Sequence, residues 1–209
     1  MKRSPAVAPA TRRPIIVVLS ALVVAIIAVA VHQVPRSASP SSYTSASSPA
    51  APTEPRRAAG RADGVVPAGV TVFDGTVPAV ANLDPGLLAA LRQAARAAAR
   101  DGVEFHVNSG WRSRTYQNRL LREAVAKYGS EDEAARWVAT AATSPHVSGE
   151  AVDLGPAAAT RWLSRRGAAF GLCQIYRNEP WHYELRPGAF AQGCPRMYAD
   201  PTEDPRMRP

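Results

Sequence analysis

From Ile15 to Val31 the chain is apolar at every position except Ser20. This is the short end of what a membrane-spanning helix needs, and it is longer than most signal-peptide cores. No face of the run is polar, so a helix buried in a globular core fits poorly. Lys2, Arg3, Arg12 and Arg13 precede it, and basic residues on that side favour a cytoplasmic N-terminus with the remainder exported. The reading is a basic cytoplasmic tail over 1–14 and a transmembrane signal-anchor over 15–34. Ala28-Val29-Ala30 resembles a small-x-small cleavage site, so secretion after cleavage is the alternative. Over 35–66 apolar periodicity disappears, and Pro, Ser, Ala and Thr dominate. Such a stretch cannot bury enough surface to offset its ordering entropy, and it reads as a disordered tether.

Periodicity returns in residues 67–209, which are long enough for one core. Leu87, Leu88, Leu91 and Ala95 recur at helical spacing, with Asp84 placed as an N-cap and Gly102 as a stop, so a helix is expected over 85–100. Residues 103–107 alternate like a strand. Helices are expected over 114–128, 131–142 and 157–167. Short strands are expected over 151–154, 173–176 and 181–185, the last two joined by a turn at 177–180. Helices first and a small antiparallel sheet later make an α+β domain.

Charge changes this picture little. The sequence has 209 residues and a formal net charge of +8, which invites a nucleic-acid reading. Residues 1–70 carry eight basic and two acidic residues, whereas 71–209 carry 17 and 15. The excess therefore sits on the tail and tether, not as a patch on the folded part, and no nucleic-acid partner is expected. Nothing in the pattern specifies an oligomeric state.

The two cysteines, Cys173 and Cys194, lie in the part expected to be exported, where disulfides persist. A structural disulfide between them is favoured, closing a loop worth roughly 3 kcal/mol in the chain-entropy model. Metal ligation or a catalytic thiol is the alternative, weakened because neither cysteine sits in a CxxC pair or beside a histidine.

Of four histidines, His32 flanks the apolar run and His106 lies in an expected strand. The other two have informative neighbours. His146 and Asp153 are separated by Gly149, which lets the chain turn sharply, and Asp153 sits between Val152 and Leu154. A charged residue between apolar neighbours needs a partner if buried. Glu179-Pro180-Trp181-His182 adds a third nitrogen and a further carboxylate. Two His and one Asp, with a fourth position open to water, form a catalytic zinc arrangement, and Glu179 is a carboxylate free to act as general base. Two histidines in satisfied core or surface sites are the alternative reading.

The string Ser144-x-His146-x-x-Gly149-x-Ala151-x-Asp153, followed by Glu179-x-Trp181-His182, resembles the zinc D-alanyl-D-alanine carboxypeptidases and dipeptidases, including the VanY-type enzymes of the peptidase M15 family. Ser109-Gly110-Trp111-Arg112-Ser113 with Tyr116-Gln117 resembles that family's substrate-side segment. The resemblance spans about 85–200 and implies a DD-peptidase/hedgehog-like fold. It implies Zn2+ on His146, Asp153 and His182, Glu179 as catalytic base, and Arg112 as substrate-binding and oxyanion-stabilising residue. Gln117 and Ser144 would hydrogen-bond the peptide end, and Trp181 would wall the pocket. The implied substrate is the peptidoglycan stem peptide, cleaved at D-Ala-D-Ala outside the membrane. The alternatives are an L-Ala-D-Glu endopeptidase or D-Ala-D-Ala dipeptidase on the same scaffold, or an inert wall-binding module. Pro180 departs from the motif only at a variable place, holding Glu179 in extended geometry.

Overall fold

The computed structural model describes residues 58–208. The expected signal-anchor at 15–34 and most of the tether lie outside the described residues. Among the described residues no helix is long and apolar enough to cross a membrane.

The elements run α1 (Pro78–Ala81), α2 (Pro85–Arg100), β1 (His106–Ser109), α3 (Arg114–Tyr128), α4 (Glu131–Ala135), β2 (Ala151–Gly155), α5 (Ala157–Arg166), β3 (Leu172–Gln174), β4 (His182–Leu185) and α6 (Ala189–Gln192). The strands form one antiparallel sheet in the order β1-β2-β4-β3, so the α+β expectation holds. α2 begins as its sequence dictates: Asp84 caps it by accepting the Leu87 amide at 2.9 Å, Pro85 occupies the first turn, and Leu87, Leu91, Ala94, Ala95 and Ala98 form its buried stripe.

The sheet separates core from chemistry through its period of two. On β2, Val152 and Leu154 join the main hydrophobic cluster, and on β4 so do Tyr183 and Leu185. Leu87 and Leu91 of α2, and Trp162 and Leu163 of α5, complete that cluster. Asp153, His182 and Glu184 alternate with those core residues and therefore project from the opposite face. Register places Asp153 directly across from His182, and Ala151 across from Glu184.

Three expectations shift. The strand over 103–107 starts later, at His106, because the Val103 amide closes the end of α2 on the Ala98 carbonyl. The helix over 131–142 ends at Ala135. Beyond it, backbone carbonyls serve side chains instead of a helix ladder: Ala139 accepts from Gln117 and Ala141 from Arg114. Residues 58–66, which composition assigned to the tether, pack with the folded domain. Ser113 donates its amide to the Asp63 carbonyl and its hydroxyl to the Asp63 carboxylate, and Val66 packs on the core.

Gly149 has φ +80°, and a Cβ there would strike the carbonyl oxygen of Asn82, while its own carbonyl accepts the Asp84 amide. Gly129 has φ +87° with open space around it. Gly149→Ala should therefore lower stability by about 1–3 kcal/mol for the left-handed backbone plus a collision term, and Gly129→Ala by the backbone term alone. Urea denaturation midpoints of the two variants check this ordering.

Candidate metal centre and cleft

The Ser144–Asp153 string folds as a loop into β2. Its turn at Gly149 brings His146 back over Asp153, while the antiparallel pairing of β2 and β4 brings in His182. All three side chains are buried. Asp153 Oδ1 lies 3.4 Å from His146 Nε2 and 3.3 Å from His182 Nδ1, and one ligand atom from each residue falls within 4.8 Å of the others.

Hydrogen bonding sets which nitrogen faces inward. His146 Nδ1 is 2.8 Å from the Gly110 carbonyl, which can only accept, so Nδ1 carries the proton and the Nε2 lone pair points into the cluster. His182 Nε2 is 3.1 Å from Glu184, whose carboxyl is held down at about 2 despite its burial, by hydrogen bonds from His182 and Arg206 and by nearby positive charge. That carboxylate also only accepts, so His182 presents Nδ1. Asp153 Oδ1 and His182 Nδ1 are buried with no hydrogen-bond partner. Buried polar atoms are rarely left so, because each costs about 1–3 kcal/mol. With His146 Nε2 beside them, these atoms make two nitrogens and one carboxylate oxygen converging on one point, a donor set that fits a divalent metal.

The electrostatics agree. Burial and the Arg112 charge lower the pKa of His146, keeping the imidazole neutral as a ligand must be. Burial alone would raise Asp153, yet His146, His182 and Arg112 hold it well below the usual carboxylate range. In the metal-free protein burial pulls His182 down, but the nearby carboxylates of Asp153 and Glu184 outweigh this and raise it to about 9. The cluster thus favours positive charge at the position a cation would take.

Glu179 sits beside the cluster, with Oε2 3.6 Å from His182 Nδ1. Burial pushes its carboxyl up to about 7 against the opposing pull of His182 and Arg112, a value suited to taking and returning a proton. Arg112 donates from Nε to Ser109 at 2.8 Å, from Nη1 to Gln117 at 3.2 Å and from Nη2 to Asp153 Oδ2 at 2.9 Å. A register irregularity at Val107/Ser109, opposite Asp153, accompanies this placement of Ser109.

These residues line one cleft of about 350 Å³, with Gln117, Ser144 and Trp181 also in its wall. Trp181 is 39% exposed, and Ser144 is buried. Gln117 is anchored within the protein: its amide oxygen accepts from Arg112 and its amide nitrogen donates to Ala139 at 2.7 Å. From the cleft wall it also holds Arg112. Cys173 and Cys194 form a disulfide away from the cleft, which excludes both as nucleophile or ligand. His106 pairs with Glu104 at 3.1 Å on the surface.

A family model described as VanY, D-alanyl-D-alanine carboxypeptidase, matches residues 81–187, about half of the chain. The chain belongs to this family. A D-alanyl-D-alanine carboxypeptidase of Enterococcus faecalis is 34% identical over a stretch covering 42% of each protein, so the match spans less than half of that relative's length. Among solved structures, the Zn(II) complex of a variant of the vancomycin-resistance D,D-pentapeptidase VanY, from a VanB-type cassette, is similar at 30% identity and TM-score 0.47, covering 49% of this chain and 72% of that one. The LD-carboxypeptidase LdcB is similar at 23% identity and TM-score 0.50, covering 61% and 70%, a likeness of fold. The VanY match contains Arg112, Gln117, Ser144, His146, Asp153, Glu179, Trp181 and His182.

Sequence reasoning passed over several residues at this site. Tyr176 lines the cleft with its ring 5.1 Å from that of His182. Glu184 reads from sequence equally as an exposed strand residue or a partner behind His182; the strand places it on the same face as His182 and fully buried. Asp204 and Arg206, near the C-terminus, carry no motif that links them to the site.

A chain stripped of metal should take up one divalent ion per molecule and melt at a higher temperature in its presence, by about 2.7 kcal/mol at a free concentration 100 times Kd. His146→Ala and His182→Ala should abolish that thermal shift. Calorimetric titration and melting curves on the full chain check it.

Proposed function

We propose that the protein is a zinc-dependent D-alanyl-D-alanine carboxypeptidase that removes the terminal D-Ala from peptidoglycan stem peptides. The observation that carries this reading is the pairing of an unspent His/Asp/His donor set with a buried carboxyl, Glu179, at its edge. Binding alone does not need a general base beside a metal centre, which speaks against an inert wall-binding module.

His146, Asp153 and His182 would hold zinc, which when bound would supply Lewis acidity, lowering the pKa of water toward ~7 and polarising a carbonyl. Glu179 takes the proton of the attacking water and later returns it to the departing D-Ala amine. One carboxyl performs both transfers, and in the metal-free protein burial raises its pKa to about 7. Arg112 uses three of its five N–H groups on Ser109, Gln117 and Asp153, which fixes the plane of its guanidinium. The remaining two can meet the oxyanion or the substrate carboxylate, and a planar fixed charge suits either. Ser144 offers a hydroxyl to the peptide, and Trp181 an apolar wall. No side chain attacks the carbonyl, so there is no acyl-enzyme for penicillin to trap.

The apolar run at 15–31 and the Pro/Ser/Ala-rich segment beyond residue 34 support a single-pass placement, with the catalytic domain tethered outside the membrane next to its wall substrate. Secretion after cleavage is the other outcome, and the size of the mature protein in membrane and medium fractions separates the two.

Mass analysis of a stem pentapeptide incubated with the zinc-loaded full chain should show loss of one D-Ala. Release from free D-Ala-D-Ala alone, or cleavage after L-Ala, would replace this reading with the dipeptidase or the endopeptidase. Glu179→Gln should retain zinc while turnover falls by about 10²–10⁴. Chelation should abolish turnover, and added zinc should restore it.

A further inference from the structure

We infer that Arg206, on the C-terminal segment beyond the residues matched to the family, is a positioning residue for the metal ligand His182, acting through Glu184. This rests on the metal-centre reading of His146, Asp153 and His182. Glu184 is fully buried, and its Oε1 receives the Nε2 proton of His182. A carboxylate with no water needs charge partners to stay ionised and fixed. Arg206 supplies a fork: Nη1 to Oε2 at 2.7 Å and Nη2 to Oε1 at 3.1 Å. Arg186 adds one bond to Oε2 at 2.7 Å; both arginine side chains are partly exposed, so the number and placement of the bonds distinguish them. Of these two arginines, Arg206 is the one that grips the oxygen facing His182.

Arg206 is itself held. Asp204, fully buried, accepts from its Nε and Nη2, and from its backbone amide at 3.0 Å. Asp204 also accepts the Tyr176 hydroxyl at 2.9 Å, and the Tyr176 ring packs against His182. The contacts form a closed circuit: His182, Glu184, Arg206, Asp204, Tyr176 and back to His182. Asp200, bonded to Arg136 at 3.1 Å, ties the same segment to the end of α4. The circuit does two things for the ligand. It fixes the proton on Nε2, leaving the Nδ1 lone pair for the metal, and it fixes the plane of the ring. Partners behind a ligand histidine act in this way in metal sites generally, and losing one costs about 10–100-fold in metal affinity.

The test uses the full chain stripped of metal, with zinc as the probe, read by competition against a chelator of known affinity and by melting of the metal-free protein. Arg206→Lys keeps the charge and loses the fork; Arg206→Ala loses both; Arg186→Ala is the comparison. The expected result is a zinc Kd about 10–100-fold weaker for Arg206→Ala, intermediate for Arg206→Lys, and within about threefold of wild type for Arg186→Ala. If Arg206→Ala does not fold, Arg206→Lys decides, with weakening of about threefold or more supporting the relay. A lower melting temperature with an unchanged Kd would reduce Arg206 to a structural strap and overturn the inference. A wild-type chain that takes up no zinc would instead remove the metal-centre reading, a different failure visible before any variant is made.

Discussion

The cross-strand pair of Asp153 and His182 is the contact on which the rest depends. It joins the two central strands at a single register, and that register has two faces. On one, Val152, Leu154, Tyr183 and Leu185 are sealed by α2 and α5. On the other, the alternating residues Asp153, His182 and Glu184 are brought together. A slip of one residue would put carboxylates and an imidazole into the apolar cluster, so core and site enforce the same pairing.

Burying that much polarity demands compensation, and the structure supplies it in layers. Arg112 takes the outer oxygen of Asp153 and is braced by Ser109 and Gln117. Gly110 accepts from His146, and Glu184 accepts from His182. After these bonds, what remains unspent faces one point: the inner oxygen of Asp153 and the inner nitrogen of His182. Membership in the VanY family gives that point a chemical context, and Glu179 at its edge is the group able to move a proton there.

The C-terminal segment changes the view of where the site ends. A family match that stops at residue 187 leaves out Asp204 and Arg206, yet Arg206 contacts the carboxylate behind His182, and Asp204 holds Arg206. Long-range ion pairs of this sort are cheap in sequence and costly in space: two residues suffice, but only if a whole segment docks to deliver them.

Much of this was legible in the chain itself. Helical spacing and the Asp84 cap marked α2, period-two runs marked the strands, and the motif strings marked His146, Asp153, Glu179 and His182 as a set. These signals are local, within a turn, a strand or a ten-residue string, which is why sequence carries them. The end of α4, the start of β1, the role of Gln117 and the circuit through Glu184 and Arg206 were decided only in the folded chain. Each depends on which distant group claims a particular carbonyl, amide or carboxylate, and that competition is settled by packing in three dimensions.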